Sequence, residues 1–103
     1  MPADLRHQDL RDRSWADADL AGADLTGCNL AGANLARADL RGATLVDARL
    51  SGARLVGADL SDARLLGADL TRDNYRDGTA ARAQFAHAAL SWGYLVGLAL
   101  RGA

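Results

Sequence analysis

Leucine recurs at every fifth residue from Leu20 to Leu70 without a gap, and alanine stands two residues before each, from Ala18 to Ala68, with Cys28 in its place once. A period of five excludes an amphipathic helix. At about 100° per residue, positions five apart step round by roughly 140° and never collect on one side. In an extended segment residues two apart share a face, so the alanine and the leucine of each unit point inward while the residue between them points out. The fifth residue is left for a bend. It is glycine at 22, 27, 32, 42, 52, 57 and 67, the residue most tolerant of unusual backbone angles. Eleven such units predict a coil filled by a stack of leucines padded with alanines, its successive turns joined by backbone hydrogen bonds.

The units Ala-Asp-Leu-Ala-Gly (18–22), Ala-Asp-Leu-Thr-Gly (23–27) and Ala-Asn-Leu-Ala-Arg (33–37) resemble the pentapeptide-repeat family, whose pattern is Ala-(Asp/Asn)-Leu followed by two free positions. The resemblance implies an all-β fold, a right-handed quadrilateral parallel β-helix with four units and twenty residues per coil. The chain of 103 residues would then be one domain of about five coils, with a C-terminal helical cap as an open alternative. A conventional globule of this length would have a modest core, since much of its apolar half is alanine. A solenoid escapes that limit because each coil buries its face on the next.

The two ends depart from the pattern. Residues 1–17 keep the register with Leu5, Leu10 and Trp15 in the large inward slot, but Gln8 and Arg13 occupy the small one, which is costly unless the first coil is open to water. Trp15 is expected to plug the leucine column, a binding aromatic being the other reading. Residues 18–72 are regular. At 73–82 the pattern falters, with Asp73 and Gly78 in the small slot and Tyr75 and Ala80 in the large one. Beyond it, degenerate repeats through Phe85, Leu90, Leu95 and Leu100 compete with an alanine-rich helix. That helix would be capped by Thr79 and carry Phe85, Ala88, Ala89, Trp92, Leu95 and Val96 on one face. If the end is coiled, Trp92, Tyr94 and Val96 face outward as a candidate dimer or partner patch, most simply a homodimer through the C-terminal end.

The formal charge is −1, every base is arginine and every acid is aspartate. Under the twenty-residue coil, Asp19, Asp39 and Asp59 form one outward column, with Asp17, Asp24 and Asp62 near it and Arg37 and Arg41 interrupting it. Carboxylates about 4.8 Å apart repel by about 1 kcal/mol per adjacent pair even in water. Residues 1–40 hold seven aspartates and four arginines, residues 41–72 four and five, so the amino-terminal half is the acidic one.

No constellation of side chains points to catalysis, and no catalytic residue, cofactor or metal is expected. His7 and His87 fall at corners of the same side about 19 Å apart, too far to share an ion. Cys28 is expected to be inward filler. No basic-then-apolar signal pattern opens the chain and no apolar stretch approaches the roughly 20 residues of a membrane helix, so a cytoplasmic protein without membrane or direct nucleic-acid contact is expected.

Two functions remain. One is a non-enzymatic, rod-like protein-interaction scaffold whose partner the sequence does not name. The other is implied by the resemblance: a DNA mimic acting on DNA gyrase or topoisomerase IV, of the quinolone-resistance or antibiotic self-immunity type, in which Asp17, Asp19, Asp24, Asp39, Asp59 and Asp62 imitate phosphates. Near-zero net charge, interspersed arginines, a short rod and unbroken repeats depart from that second type. The inward assignment has a direct test: Leu45→Asp puts an unpaired charge in the leucine stack and is expected to abolish the cooperative thermal transition followed by circular dichroism.

Overall fold

The inward leucines set how the chain winds. Backbone positions twenty residues apart lie side by side and parallel: Asp19 beside Asp39 beside Asp59, Asp24 beside Thr44 beside Arg64, Asn29 beside Arg49 beside Asp69, and Asn34 beside Arg54. Four units therefore close one coil. The computed structural model describes residues 4–71 together with 83, 84, 86, 89 and 90. Asp4 already pairs with Asp24, so the register begins at the first described residue.

Each side is only as long as the residues that two coils can share. Leu20 N–H donates to the Asp39 carbonyl at 2.8 Å, Gly22 N–H to the Arg41 carbonyl at 2.9 Å, and Asp39 N–H to the Ala18 carbonyl at 2.9 Å. The corner closes on itself, with Ala23 N–H donating to the Leu20 carbonyl at 3.0 Å, and the same bond recurs from Cys28 to Leu25 and from Ala48 to Leu45. Sides this short leave little extended chain. Among the described residues only β1 (Asp69–Leu70) and β2 (Ala89–Leu90) run for two residues, paired in parallel with Asp69 opposite Ala89 and Leu70 opposite Leu90.

That pairing bears on the carboxyl-terminal alternatives. Gln84 lies beside Arg64, and Gly67 N–H donates to the Ala86 carbonyl at 2.9 Å. At 84 and 89–90 the chain is thus paired in the twenty-residue register, where the alternative capped by Thr79 required helix. Tyr75, Phe85, Trp92, Tyr94 and Val96 lie outside the described residues.

The core is four columns of large side chains, one on each side of the coil, padded by four of small. Every fifth-residue leucine from Leu25 to Leu70 is less than 2 % exposed, and burying such a side chain stabilises by about 1.5–3 kcal/mol. Cys28 fills its small slot completely buried, its thiol donating to the Leu5 carbonyl, and burial pushes that thiol's pKa up. Such a cysteine is chemically quiet. At the amino-terminal end Leu10 is buried, Leu5 and Trp15 are half-buried against the core, and Gln8 and Arg13 are exposed despite their inward slots. The Trp15 indole N–H is buried there without a hydrogen-bond partner.

The corner residue has positive φ whatever its identity. Gly52 and Gly67 lie at 73° and 71°, and His7, Asp12, Asp17, Arg37, Asp47 and Asp62 lie between 59° and 61°. This sign at the third position, with the hydrogen bond across it, is that of a type II turn. The corner side chains of His7, Asp12, Arg37 and Asp47 drape over the glycine of the next coil. A Cβ on Gly67 would sit 2.5 Å from Asp47 Oδ1, whereas one on Gly52 would meet nothing within 4 Å. Gly52→Ala should therefore cost about 1–2 kcal/mol from backbone strain alone. Gly67→Ala should cost more, and pairing it with Asp47→Gly should remove the excess in a double-mutant cycle. Equal losses for the two single variants in urea melts would show that the draped carboxylate does not matter.

Candidate functional site

In every unit the residue before the leucine and the residue after it point outward on the same side. Each flat side of the coil therefore shows two columns of side chains.

The first column has a structural task. Its carboxylate or amide accepts the backbone N–H two residues on: Asp19 from Ala21 at 3.2 Å, Asp24 from Thr26 at 3.1 Å, Asn34 from Ala36 at 3.0 Å, Asp39 from Arg41 at 3.1 Å, and Asp59 from Ser61 at 2.9 Å. Aspartate and asparagine place an acceptor at that reach and hold the chain into its turn. Sequence reasoning took these aspartates for a displayed surface and missed the bond. The signal was present in the prevalence of Asp and Asn before the leucine, with no glutamate in the chain.

Ion pairs then form within a side. Asp-Leu-Arg occurs at 4–6, 9–11 and 39–41, and because the leucine points inward its neighbours meet. Arg6 is 2.8 Å from Asp4, Arg11 is 2.8 Å from Asp9, and Arg41 is 2.6 Å from Asp39. Arg37 reaches down one coil from its corner to Asp17, with Nε 2.8 Å from Oδ1 and a second bond of 3.0 Å. These guanidinium bonds hold the Asp4, Asp9, Asp17 and Asp39 carboxyls below their ordinary range, and the Thr26 hydroxyl with its N–H does the same for Asp24. All lie at the surface, where such pairs contribute little to stability.

The six candidate acids are not on one plane. Asp19, Asp39 and Asp59 stack in successive coils of one side, as the twenty-residue arithmetic expects. Asp17 lies at the corner before that side, Asp62 at the corner after it, and Asp24 on the next side round. Asp17 and Asp39 carry bidentate guanidinium partners, and Arg6 stands 3.8 Å from Asp24. The column is thus partly neutralised. Arg49, Arg54 and Arg64 lie exposed on the three other sides, with no carboxylate at ion-pair distance among the described residues. Trp92, Tyr94 and Val96 lie outside those residues, and so does His87.

Among the described residues no cluster of His, Cys, Asp or Glu could hold a metal ion, and no helix is long and apolar enough to cross a membrane.

A four-sided parallel coil with a twenty-residue pitch and side-chain-capped corners is a β-helical solenoid. The model of the family described as pentapeptide repeats matches in 8 copies, over residues 3–35, 18–55 and 38–72, and the chain belongs to that family. Solved structures agree. The pentapeptide repeat protein Rfr23 from the cyanobacterium Cyanothece 51142 is 28% identical, with a TM-score of 0.67 over 97% of this chain and 61% of that one. The protein alr5209 from Nostoc PCC 7120 is 31% identical, with a TM-score of 0.58 over 97% and 86%. HetL from Nostoc sp. strain PCC 7120, a protein involved in heterocyst differentiation regulation, is 32% identical, with a TM-score of 0.56 over 84% and 38%. The chain therefore spans less than two thirds of Rfr23 and HetL. None of the curated proteins compared with the chain matches it.

The caps and the acids can be separated experimentally. Asn34→Ala removes an uncharged cap and should cost about 1 kcal/mol in urea melts. The depressed aspartates contribute stability that is full above the ordinary carboxyl range near pH 4 and is lost as pH falls through it toward their folded values. Asp39→Asn keeps the cap and loses the charge. Its melting temperature should lie slightly below the parent's near neutral pH, fall less between pH 5 and pH 2.5, and approach the parent's at the acid end.

Proposed function

We propose that the protein is a non-enzymatic scaffold that binds a protein partner through its middle coils. One observation carries this reading. The residue before the leucine is a turn cap in most units, yet Arg49, Arg54 and Arg64 hold that place with side chains that have no acceptor. Here the chain gives up a local stabilising bond, and such departures mark sites kept for function. The second column changes in the same coils. Val46, Val56 and Leu66 stand half-buried where other units have alanine, serine, threonine or, at 6, 11 and 41, arginine. Unpaired arginine beside outward aliphatic side chains is the composition of protein-binding surfaces.

A second reading rests on the stacked Asp19, Asp39 and Asp59: imitation of a phosphate backbone toward gyrase or topoisomerase IV. The neutralisation of Asp39 by Arg41 counts against it.

The first reading sets stability against binding. Arg54→Asn restores a cap and should stabilise the protein by about 0.5–1 kcal/mol, while weakening capture of a partner from host extract by the immobilised chain. Unchanged capture by both Arg54→Asn and Arg49→Asn would refute the scaffold surface. Mimicry predicts instead salt-sensitive inhibition of gyrase supercoiling that is relieved in the Asp39→Asn/Asp59→Asn variant, and the scaffold reading expects no inhibition.

A further inference from the structure

The side that begins at Asp4 differs from the other three in how its charges are distributed. One of its columns runs Asp24, Thr44, Arg64 from coil to coil, and the other runs Thr26, Val46, Leu66. Acid stands one coil below the middle, base one coil above it, and the aliphatic residues lie at and above the centre. Arg64 is exposed, with the uncharged Thr44 and Gln84 on either side of it. The Asp24 side chain is 42% exposed, and its Oδ1 takes both bonds from Thr26 at 3.1 and 2.6 Å. Its Oδ2 has only Arg6 near it, at 3.8 Å.

We propose that this side binds a second copy of the chain, face to face and antiparallel, about a two-fold axis running along the side at the level of Thr44 and Val46. This goes beyond the scaffold reading by naming one occupant of one side, and it rests on the reading of the sides as interaction surfaces. The symmetry reverses the order of coils and keeps each column opposite itself. Arg64 of each copy then faces Asp24 of the other, so the charge pair forms twice. Val46 meets Val46 on the axis, and Leu66 covers the Thr26 methyl group. Beyond them Asp4 meets Gln84 and Arg6 meets Ala86, which juxtaposes no like charges.

The same operation fails or gains less on the other sides. On the Asp39 side it sets Asp39 against Asp39 and Asp19 against Asp59, and like charges brought together suppress association. The Asn34 side pairs Ser14 with Arg54 and offers no opposite charge. On the Asn29 side Asp9 would face Arg49, but Asp9 is already held by two bonds from Arg11 and no outward aliphatic larger than alanine lies between them.

The described side rises four coil steps, about 19 Å. At three residues per side the face is about 10 Å wide, so an interface across it buries less than the roughly 1,200–2,000 Å² of stable complexes, and the dimer is a weak one that forms at micromolar concentrations and above.

Sedimentation equilibrium of the full chain tests this. The weight-average mass should rise from 10.8 kDa toward twice that value as concentration increases, and less so at high salt. Arg64→Asp sets four carboxylates against one another and should raise the dissociation constant at least about tenfold. Asp24→Arg should do the same with four guanidiniums. Mixing the two variants restores both opposite-charge pairs, so the mixture should associate where neither variant does alone. Val46→Arg, which leaves every cap in place, should abolish the dimer, and circular dichroism melts confirm that each variant is folded. A parent that stays monomeric into the millimolar range would overturn the proposal. So would a dimer that withstands both Arg64→Asp and Val46→Arg, the outcome expected if copies join end to end. Neither result would bear on capture of a different partner through Arg49 and Arg54.

Discussion

A closed four-sided coil exists only if the chain bends the same way at every fifth residue, and that bend demands positive φ. The rest of the structure depends on this. Glycine adopts the angle freely, but six described corners are other residues at 59° to 61°, among them Arg37. Each of those costs about 1–2 kcal/mol in the left-handed region. A buried leucine in the same unit contributes about 1.5–3 kcal/mol, and the carboxylate or amide cap adds a bond on the approach to the turn. The inward column therefore outweighs the corners, and His7, Asp12 and Asp47 are tolerated where glycine would be easier.

With the frame held by the inward slots, the corners and the caps, the outward positions divide into two kinds. Where aspartate or asparagine precedes the leucine, the side chain is occupied with its own backbone. Where Arg49, Arg54 and Arg64 take that place, it is free to meet something else. The middle coils are thus less well fastened locally than the amino-terminal ones.

The coil and its contents were legible from Leu20 to Leu70 because a period of five admits no helix and leaves one residue in each unit for a turn. The columns followed from the twenty-residue coil that the family resemblance implied, and Asp19, Asp39 and Asp59 do stack. What the stacked aspartates do was not legible. Periodicity tells which way a side chain points, and the bond that the Arg41 N–H donates to Asp39 depends on the reach of a short acceptor within its own turn. Arg37 and Arg41 read as interruptions of the acidic column, whereas they are partners of Asp17 and Asp39. At Gln84 and Ala89 the alanine-rich composition suited either helix or coil, and the pairing with Arg64 and Asp69 decided for the coil at those positions. Local propensity carried no information about that long-range contact.

The twenty-residue pitch sets a rule for how such a chain can vary in length. Loss or gain of one five-residue unit leaves every leucine in an inward slot and is silent for the interior. It also carries every downstream outward residue a quarter turn around the coil, scattering the columns of Asp39, Arg54 and Leu66 onto new neighbours. Only a change of four units returns each side chain to its own side. Interior and surface thus answer to two reading frames, one of five and one of twenty, and a lineage of these coils can keep its fold through changes of length that would scramble what the fold presents.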